Sequence, residues 1–388
     1  MNLLAGHSPR EGQYDYIITG AGAAGLSLLV HLIRSGRFSD KRILLIDRED
    51  KNKNDRTWCF WEEEAGLFEP IVFRSWEKAW FHGPGFSRLM DLAPYRYKMI
   101  RGVDFYRYCM DLVREQPGIT FLKAPVKDLA SLPDGVRVTA GDQEFRGRYL
   151  FNSILFDPVR PAAGQYYLLQ HFTGWVVETA EDRFQPGEAV LMDFRVSQQA
   201  GTTFVYVMPF SPRSALVEFT LFSEKILEPA AYAQGLRDYL ARFLQVQDFR
   251  IAEEEFGVIP MTNYPFPPRD GNIIHIGTAG GQTKASSGYT FRFIQKHAAS
   301  LVERLIRTGD PFAAPVSSRR FHFYDSTLLH ILSHGTLPGA SVFTQLFQKN
   351  RPRDIFRFLD NESSWREELR IISSLPTRPF LAAALKQL

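Results

Sequence analysis

The chain has 388 residues, which is the length of two domains or of one large two-lobed unit. Its 46 Lys and Arg residues nearly balance 43 Asp and Glu residues, so the formal net charge of +3 indicates no broad basic surface and no nucleic-acid partner. Two cysteines exclude a disulfide framework and a four-cysteine zinc site, and no stretch approaches the roughly 18 consecutive apolar residues of a transmembrane helix.

The first elements in chain order form a βαβ unit. Residues 1–13 are a polar leader that we expect to be disordered. The apolar run at 16–18 predicts a buried strand, residues 26–34 predict a helix, and residues 43–46 predict a second strand that ends at Asp47. This order is typical of the start of an open parallel sheet.

Three glycines between the first strand and the helix predict a dinucleotide site. Gly20, Gly22 and Gly25 form the pattern G-x-G-x-x-G, in which the glycines permit a tight turn, an approaching pyrophosphate and close helix packing. Asp47 ends the next strand, where a carboxylate can accept hydrogen bonds from a ribose. The competing interpretation is a glycine-rich turn with a surface aspartate. The N-terminal position, with a second glycine cluster near residue 277, favours FAD over NAD.

The segment DRTWCFW at 55–61 follows the second strand. Arg56 can bind a phosphate or the edge of a flavin, and the rings of Trp58 and Trp61 can line a ligand site. The alternative is an exposed loop anchored by two core indoles.

The middle of the chain changes to short strands. Residues 166–222 contain β-branched and aromatic runs separated by turn residues, which predicts an antiparallel sheet inserted between the halves of the nucleotide-binding domain. In this part Glu218 shares a strand face with Leu216 and Thr220. If that face meets an apolar cavity, burial raises the pKa of Glu218 and makes it a general acid; otherwise it is a surface carboxylate. Glu255 and Asp193 carry the same ambiguity.

The late glycine cluster and the C-terminal region complete the pattern. Gly277, Gly280 and Gly281 lie in a loop between a predicted strand and a helix, where backbone N–H groups can approach a phosphate or a planar ring. The alternative is a flexible crossover loop. Residues 321–388 are helical and aromatic in pattern. Histidines are scattered without ligand spacing, so we expect no metal site.

We therefore predict an α/β fold in three parts. A Rossmann-like FAD-binding domain comprises residues 14–160 and 265–310, and an antiparallel β-sheet substrate domain comprises residues 161–264. Residues 311–388 form a helical C-terminal region with a possible membrane contact.

Several segments together give the chain a family likeness. They are GAGAAGLSL at 20–28, DRTWCFW at 55–61, QHFTGW at 170–175, FVYVMPFSP at 204–212, LVEFT at 216–220, FGVIPM at 256–261, GTAGGQTKASSGYTF at 277–291 and LPTRPFLAAAL at 375–385. In this order and spacing the chain resembles the flavin-dependent lycopene cyclases of the bacterial and plant β-cyclase type, from about residue 14 to the end.

The resemblance implies a reaction without net oxidation. The family converts linear lycopene ends into β-ionone rings by protonation, cation cyclisation and deprotonation beside reduced FAD, which NAD(P)H primes. Glu218 matches the family's acidic strand and becomes the expected acid–base residue, although Phe219 stands where the family often has a second acid. Gly277-Thr278 at the late loop matches the cyclases, so Thr278 joins the expected cofactor contacts. The aromatic lining expected for the polyene comprises Trp58, Trp61, Trp175, Phe204 and Tyr206.

Two other functions stay open at this point. One is an FAD-dependent monooxygenase, or a prenyl or carotenoid reductase, of the same fold. Such an enzyme would consume NAD(P)H stoichiometrically with the product that it forms. The other is a non-catalytic carotenoid-binding protein.

The insoluble substrate favours a cytoplasmic enzyme held peripherally at the inner face of the cell membrane. Residues 321–358, with aromatic and basic side chains interspersed, fit an interfacial helix, and the alternative is a helical cap over the core.

Overall fold

The computed structural model describes residues 13–312 and 319–387, so the predicted leader lies outside the described residues except for Gln13. The strands are β1 (Tyr14–Thr19), β2 (Ile43–Asp47), β3 (Thr57–Glu62), β4 (Arg74–Trp76), β5 (Lys78–Gly83), β6 (Phe86–Asp91), β7 (Arg96–Arg101), β8 (Ile119–Lys123), β9 (Val126–Leu132), β10 (Gly135–Ala140), β11 (Gln143–Asn152), β12 (Tyr167–Glu178), β13 (Glu188–Asp193), β14 (Thr202–Ser211), β15 (Ser214–Ser223), β16 (Arg250–Thr262), β17 (Arg269–Asp270) and β18 (Ile273–His275).

The first three helices lie between strands along the chain, and the last six follow one another after β18. They are α1 (Ala23–Arg34), α2 (Gly102–Arg114), α3 (Pro229–Phe243), α4 (Phe291–Thr308), α5 (Arg319–Ser333), α6 (Gly339–Lys349), α7 (Pro352–Leu359), α8 (Trp365–Ser374) and α9 (Thr377–Leu385). Two 3-10 helices occupy Glu69–Ile71 and Gly277–Gly280.

The first sheet, which we call the nucleotide-binding sheet because it carries the predicted dinucleotide site, is parallel at its centre. β1 pairs in parallel with β2 and with β11, β2 pairs with β8, and β11 pairs with β18. The central strands are continuous apolar runs because both of their faces are covered, one by α1 and α4 and the other by β9 and β10. β2, for example, is buried at every residue. α1 and α4 pack together over one face. The predicted α/β, Rossmann-like architecture is confirmed.

The second sheet, which we call the substrate sheet, is larger than residues 161–264. Its order is β16-β12-β15-β14-β13-β5-β6, so the hairpin of β5 and β6, from within the predicted FAD-binding segment, extends it by two strands. The sheet is antiparallel except where β13 pairs in parallel with β5. The pairing of β5 with β13 could not be predicted from the sequence, because the hairpin lies about a hundred residues before its partner strand.

The C-terminal helices pack on the substrate sheet. Phe347 of α6 stacks on Phe81 of β5 with ring centroids 4.3 Å apart, and Phe343 stacks on Phe194 at 5.6 Å. Phe321, Phe343, Phe347, Ile355 and Phe356 are each at most 2% exposed. The apolar side chains that suggested an interfacial helix within residues 321–358 thus belong to the core, and this segment is the helical cap of the alternative interpretation.

Among the described residues, the structure has no helix that is both long enough and apolar enough to cross a membrane.

Candidate active site

The glycine turn after β1 is shaped by close contacts. Gly20 has a φ of +94°, in the region that favours glycine, and a Cβ there would lie 2.1 Å from the Ser153 Oγ. A Cβ at Gly25 would lie 2.0 Å from the carbonyl oxygen of Gly20. A Cβ at Gly22, by contrast, would meet nothing within 4 Å. Gly20 and Gly25 therefore fix the turn, and Gly22 keeps space open at the N-terminus of α1.

Asp47 is engaged with this turn rather than exposed beyond it. One carboxylate oxygen accepts a 2.6 Å hydrogen bond from the backbone N–H of Ala21, and the other accepts one of 2.9 Å from Glu49. The Lys51 ammonium lies 3.2 Å from the Glu49-bonded oxygen. Asp47 therefore holds the glycine turn in place, and any contact with a ribose would come in addition to these bonds.

The late loop is rigidly fixed against the glycine turn and the helical region. Gly277 has a φ of +61°, and a Cβ there would lie 2.7 Å from the Cβ of Ala24. The ammonium of Lys284, whose side chain is fully buried, lies 2.7 Å from Asp325 of α5. The Ser286 hydroxyl donates a 2.6 Å hydrogen bond to the same carboxylate. The predicted loop is therefore well anchored, unlike the flexible crossover of the alternative interpretation.

Both glycine regions meet at one cavity of about 430 Å3, which we call the central cavity. From the nucleotide-binding side it is lined by Gly22, Ala23, Ala24, Ser153, Gly277, Thr278 and the start of α4. From the substrate sheet it is lined by Gln170, Phe172, Tyr206, Met208, Glu218 and residues 256–260, and the segment 55–59 closes a third side.

The predicted site residues fall into four groups, three of which lie at or beside two cavities. Gly22, Arg56, Trp58, Tyr206, Glu218, Gly277 and Thr278 line the central cavity. Gly20, Gly25 and Asp47 do not line this cavity, but they fix the turn that carries Gly22. Gly280 and Gly281 line a neighbouring cavity of about 880 Å3 between the late loop and the C-terminal helices, and Thr278 and Pro260 border both cavities.

Three of the predicted lining aromatics lie elsewhere, and these predictions are corrected. Trp61 is 1% exposed and stacks on Phe356 of α7. Trp175 lies on the opposite face of the substrate sheet, where its ring packs near Phe249. Phe204 packs against core aromatics, including Phe194 and Phe222. Trp175 faces away because it follows Gly174 on its strand, and successive strand residues point to opposite faces.

Glu218 is buried at the centre of the substrate sheet. The Thr220 hydroxyl donates a 2.8 Å hydrogen bond to one carboxylate oxygen, as expected for two residues on one strand face. Tyr206 lies directly opposite Glu218 on β14, and its hydroxyl is 3.4 Å from that of Tyr289. Burial, reinforced by the negative charge of Glu255, raises the pKa of Glu218 to about 8. The raised pKa favours the protonated form of Glu218, which lines the central cavity.

Glu255 is the functional candidate that the sequence left undecided. Its side chain accepts a 2.9 Å hydrogen bond from the Thr57 hydroxyl on one oxygen, while the other oxygen is buried without a hydrogen-bond partner. Burial raises the pKa of Glu255 to about 7, against the opposing effect of the Thr57 hydrogen bond. It lines a smaller cavity of about 190 Å3, which we call the acid pocket, together with Asn54, Thr57, Arg101, Gly174, Glu178, Leu216, Glu253 and Glu254.

Asp193, the third carboxylate, serves the fold. It is fully buried, pairs with Arg195 at 2.6 Å and accepts a 2.9 Å hydrogen bond from the Tyr239 hydroxyl. It thereby fastens α3 to the substrate sheet.

The parallel sheet, the glycine turn and the facing antiparallel sheet define the FAD-binding fold of flavin-dependent oxidoreductases and monooxygenases. A geranylgeranyl bacteriochlorophyll reductase-like protein of Thermoplasma acidophilum superposes with a TM-score of 0.63 at 11% identity, covering 96% of this chain and 99% of that one. A flavoprotein/dehydrogenase of Cytophaga hutchinsonii superposes with a TM-score of 0.64 at 13% identity, covering 97% and 99%. At these identities the likeness shows the fold.

Within this class the chain belongs to the lycopene cyclase family, because the family model described as "Lycopene cyclase protein" matches residues 15–385. A lycopene beta-cyclase of Pantoea ananas is 27% identical over 96% of this chain and 97% of its own length. A chloroplastic neoxanthin synthase of Solanum tuberosum is 26% identical over 77% of this chain and 62% of its own length.

Proposed function

We propose that the protein is a lycopene β-cyclase in carotenoid biosynthesis, an isomerase that converts linear lycopene ends into β-ionone rings. The observation that carries the proposal is the buried carboxyl group of Glu218, which borders a cavity whose other side is formed by the glycine turn, and whose pKa is raised by burial. A proton donor of this kind suits protonation of an alkene, because the apolar surroundings keep the proton on the acid until substrate arrives.

The proposed reaction leaves the number of protons unchanged. Glu218 gives its proton to the terminal double bond, the neighbouring alkene attacks the resulting cation, and a ring carbon then releases one proton. The rings of Tyr206, Phe172 and Trp58 line the cavity, and their negative faces can stabilise the cation.

The residues present fit an FAD cofactor. The open space at Gly22 adjoins the first turn of α1, whose N-terminus receives no side-chain cap and can bind a pyrophosphate. Thr278 borders the cavity from the late loop, and Arg56, which pairs with Asp55 at 2.9 Å, borders it from the opposite side. When bound in its reduced form, with NAD(P)H as the reductant, FAD supplies negative charge near the cation.

The direct test is expression in cells that accumulate lycopene, followed by pigment analysis. We expect cyclic carotene to replace lycopene. In the purified enzyme, NAD(P)H consumption well below one equivalent per ring is expected, since the flavin is only primed. Stoichiometric NAD(P)H consumption with a saturated or hydroxylated product would favour a reductase or monooxygenase, and bound carotenoid that stays unchanged would favour a binding protein.

We further propose that the protein lies peripherally on a membrane through α8 and α9. Trp365 and Leu369 are 64% and 53% exposed one turn apart on α8, and Leu381 and Leu385 are 58% and 62% exposed one turn apart on α9. Arg366, Arg370 and Arg378 are exposed on the same two helices, and Lys386 is exposed directly after α9. Exposed apolar and basic side chains together favour the surface of an anionic bilayer.

Replacing Trp365, Leu369, Leu381 and Leu385 with Ser is expected to reduce flotation with anionic phospholipid vesicles at least fivefold while flavin content stays unchanged. The matched control carries Ser at Leu155 and Phe156, which are 44% and 46% exposed elsewhere. Equal flotation of the wild type and of the variant with four substitutions would refute the proposal that α8 and α9 contact the membrane.

A further inference from the structure

Glu218, Gly174 and Glu255 form one row across three neighbouring strands. Gly174 on β12 lies opposite Glu218 on β15 at one side and opposite Glu255 on β16 at the other. Directly opposed residues of antiparallel strands point to the same face of the sheet. With strands about 4.8 Å apart, the α-carbons of the two glutamates are about 10 Å apart. The two carboxylates thus share a face, and Gly174 itself contributes no side chain between them. The space over Gly174 also borders Leu216, whose Cδ1 would lie 3.0 Å from a Cβ built on the glycine.

The Glu255 side chain leans into the space that Gly174 leaves. A Cβ built on Gly174 would lie 3.0 Å from the Glu255 Cγ and 3.2 Å from its Oε1. Oε1 is also the buried oxygen that has no hydrogen-bond partner, while the Thr57 hydroxyl holds Oε2. A buried carboxylate oxygen without a partner is costly, so this atom is suited to accept a proton or a bridging water from the direction of Glu218.

The two glutamates border different cavities. Glu218 lines the central cavity and Glu255 lines the acid pocket, while Thr57 borders both. Glu253, which is exposed, also lines the acid pocket, which gives this pocket a route to water. The row through Gly174 therefore connects the water-accessible pocket with the acid of the central cavity.

Other charged and titratable groups surround the pair on every side. The charge of Glu218 acts on Cys59, Tyr206 and Tyr289, while Glu253, Asp55 and Arg56 act on Glu255. Arg101 and Glu178 border the acid pocket as well. Burial raises the pKa of Cys59, Tyr206 and Tyr289 above their ordinary values, so these three groups stay neutral where the two carboxyl groups titrate.

We propose that Glu255 is a positioning residue that relays protons, exchanging one with Glu218 across Gly174 and one with water in the acid pocket. The inference rests on the proposed function. For each ring, one solvent proton passes through Glu255 to Glu218 and into the product. The proton released by the ring carbon returns to Glu218 and leaves by the same route, so charge and atoms balance.

The first test measures solvent deuterium in the product. Purified flavin-loaded enzyme converts lycopene presented in vesicles in D2O, and mass spectrometry counts deuterium per ring. The wild type is expected to incorporate close to one deuterium. Glu255→Gln is expected to turn over at least tenfold more slowly and to incorporate less than half as much, because Glu218 then returns substrate protons to the next substrate. Full incorporation by the variant would overturn the relay.

The second test needs no turnover. The infrared band of the protonated Glu218 carboxyl group, identified by its loss in Glu218→Gln, is followed against pH in the purified holoenzyme. In Glu255→Gln we expect the band to disappear at lower pH than in the wild type, because a neighbouring negative charge is gone. Glutamine still accepts the Thr57 hydrogen bond, so the variant should fold. Glu224→Gln, an exposed carboxylate just after β15, is the matched control.

The two tests separate the relay from the proposed function. A shifted band without cyclisation would leave Glu255 coupled to Glu218 and refute the cyclase. Cyclisation by the wild type with an unshifted band in Glu255→Gln would support the cyclase and refute the relay.

Discussion

Glu218→Gln is expected to lower the rate of ring formation at least about a hundredfold, within the range that a positioned general acid contributes. Glutamine keeps the shape of the side chain and can still accept the Thr220 hydrogen bond, but it carries no acidic proton. The measurement is pigment analysis in lycopene-accumulating cells, followed by rates with purified protein of equal flavin content.

Thr220→Val serves as the comparison for Glu218→Gln. It removes the hydrogen bond that lowers the pKa of Glu218 but leaves the acid itself, so we expect it to keep most of the activity. Ring formation by Glu218→Gln at the wild-type rate would refute the assignment of this residue as the acid.

The pH profile of the wild type provides a related check. Because burial raises the pKa of Glu218 to about 8, the acid is protonated below that value and loses its proton above it. The rate should therefore hold through neutral pH and fall as the pH rises through about 8. A rate that rose over this interval would require a deprotonated group instead.

Gly22→Val is expected to reduce bound flavin at least tenfold in a protein that stays folded. The new side chain would enter open space and meet no protein atom within 4 Å of its Cβ, so packing is preserved. That space adjoins the N-terminus of α1, where a pyrophosphate needs close approach to the backbone. Flavin content is read from the visible absorbance of the purified protein, and folding from its thermal midpoint.

Gly187→Val is the matched control for this substitution. A Cβ at Gly187 also meets nothing within 4 Å, and the residue is exposed on the loop before β13, away from the central cavity. Normal flavin content in both variants would show that Gly22 does not lie against the cofactor.

Local patterns carried much of the prediction. The glycine turn, its flanking strands and its helix are set by neighbours within about thirty residues, and the structure places them as expected. The strand face shared by Glu218 and Thr220 follows from alternation alone, and the hydrogen bond between them confirms it.

Contacts between distant segments could not be predicted in the same way. Alternation groups side chains by face but does not say which face meets a cavity, so the sequence does not show that Trp175 lies on the face away from it. Glu255 meets the row of Glu218 only through the register of two strand pairings. The available signal was weak: a glycine in QHFTGW beside a tryptophan, and a carboxylate two residues before Gly257 in an otherwise exposed acidic run.

The buried ion pair of Lys284 and Asp325 makes the stability of the late loop depend on α5. If the loop opened while α5 stayed in place, one buried charge would lose its partner, and such a break typically costs about 3–5 kcal/mol. The loop and the helical region should therefore open together, as one cooperative unit in hydrogen exchange. The amide protons of this loop, which is rich in glycine, serine and threonine, would then exchange as slowly as those of a core helix. A destabilising change in the C-terminal helices would also loosen the loop beside the glycine turn.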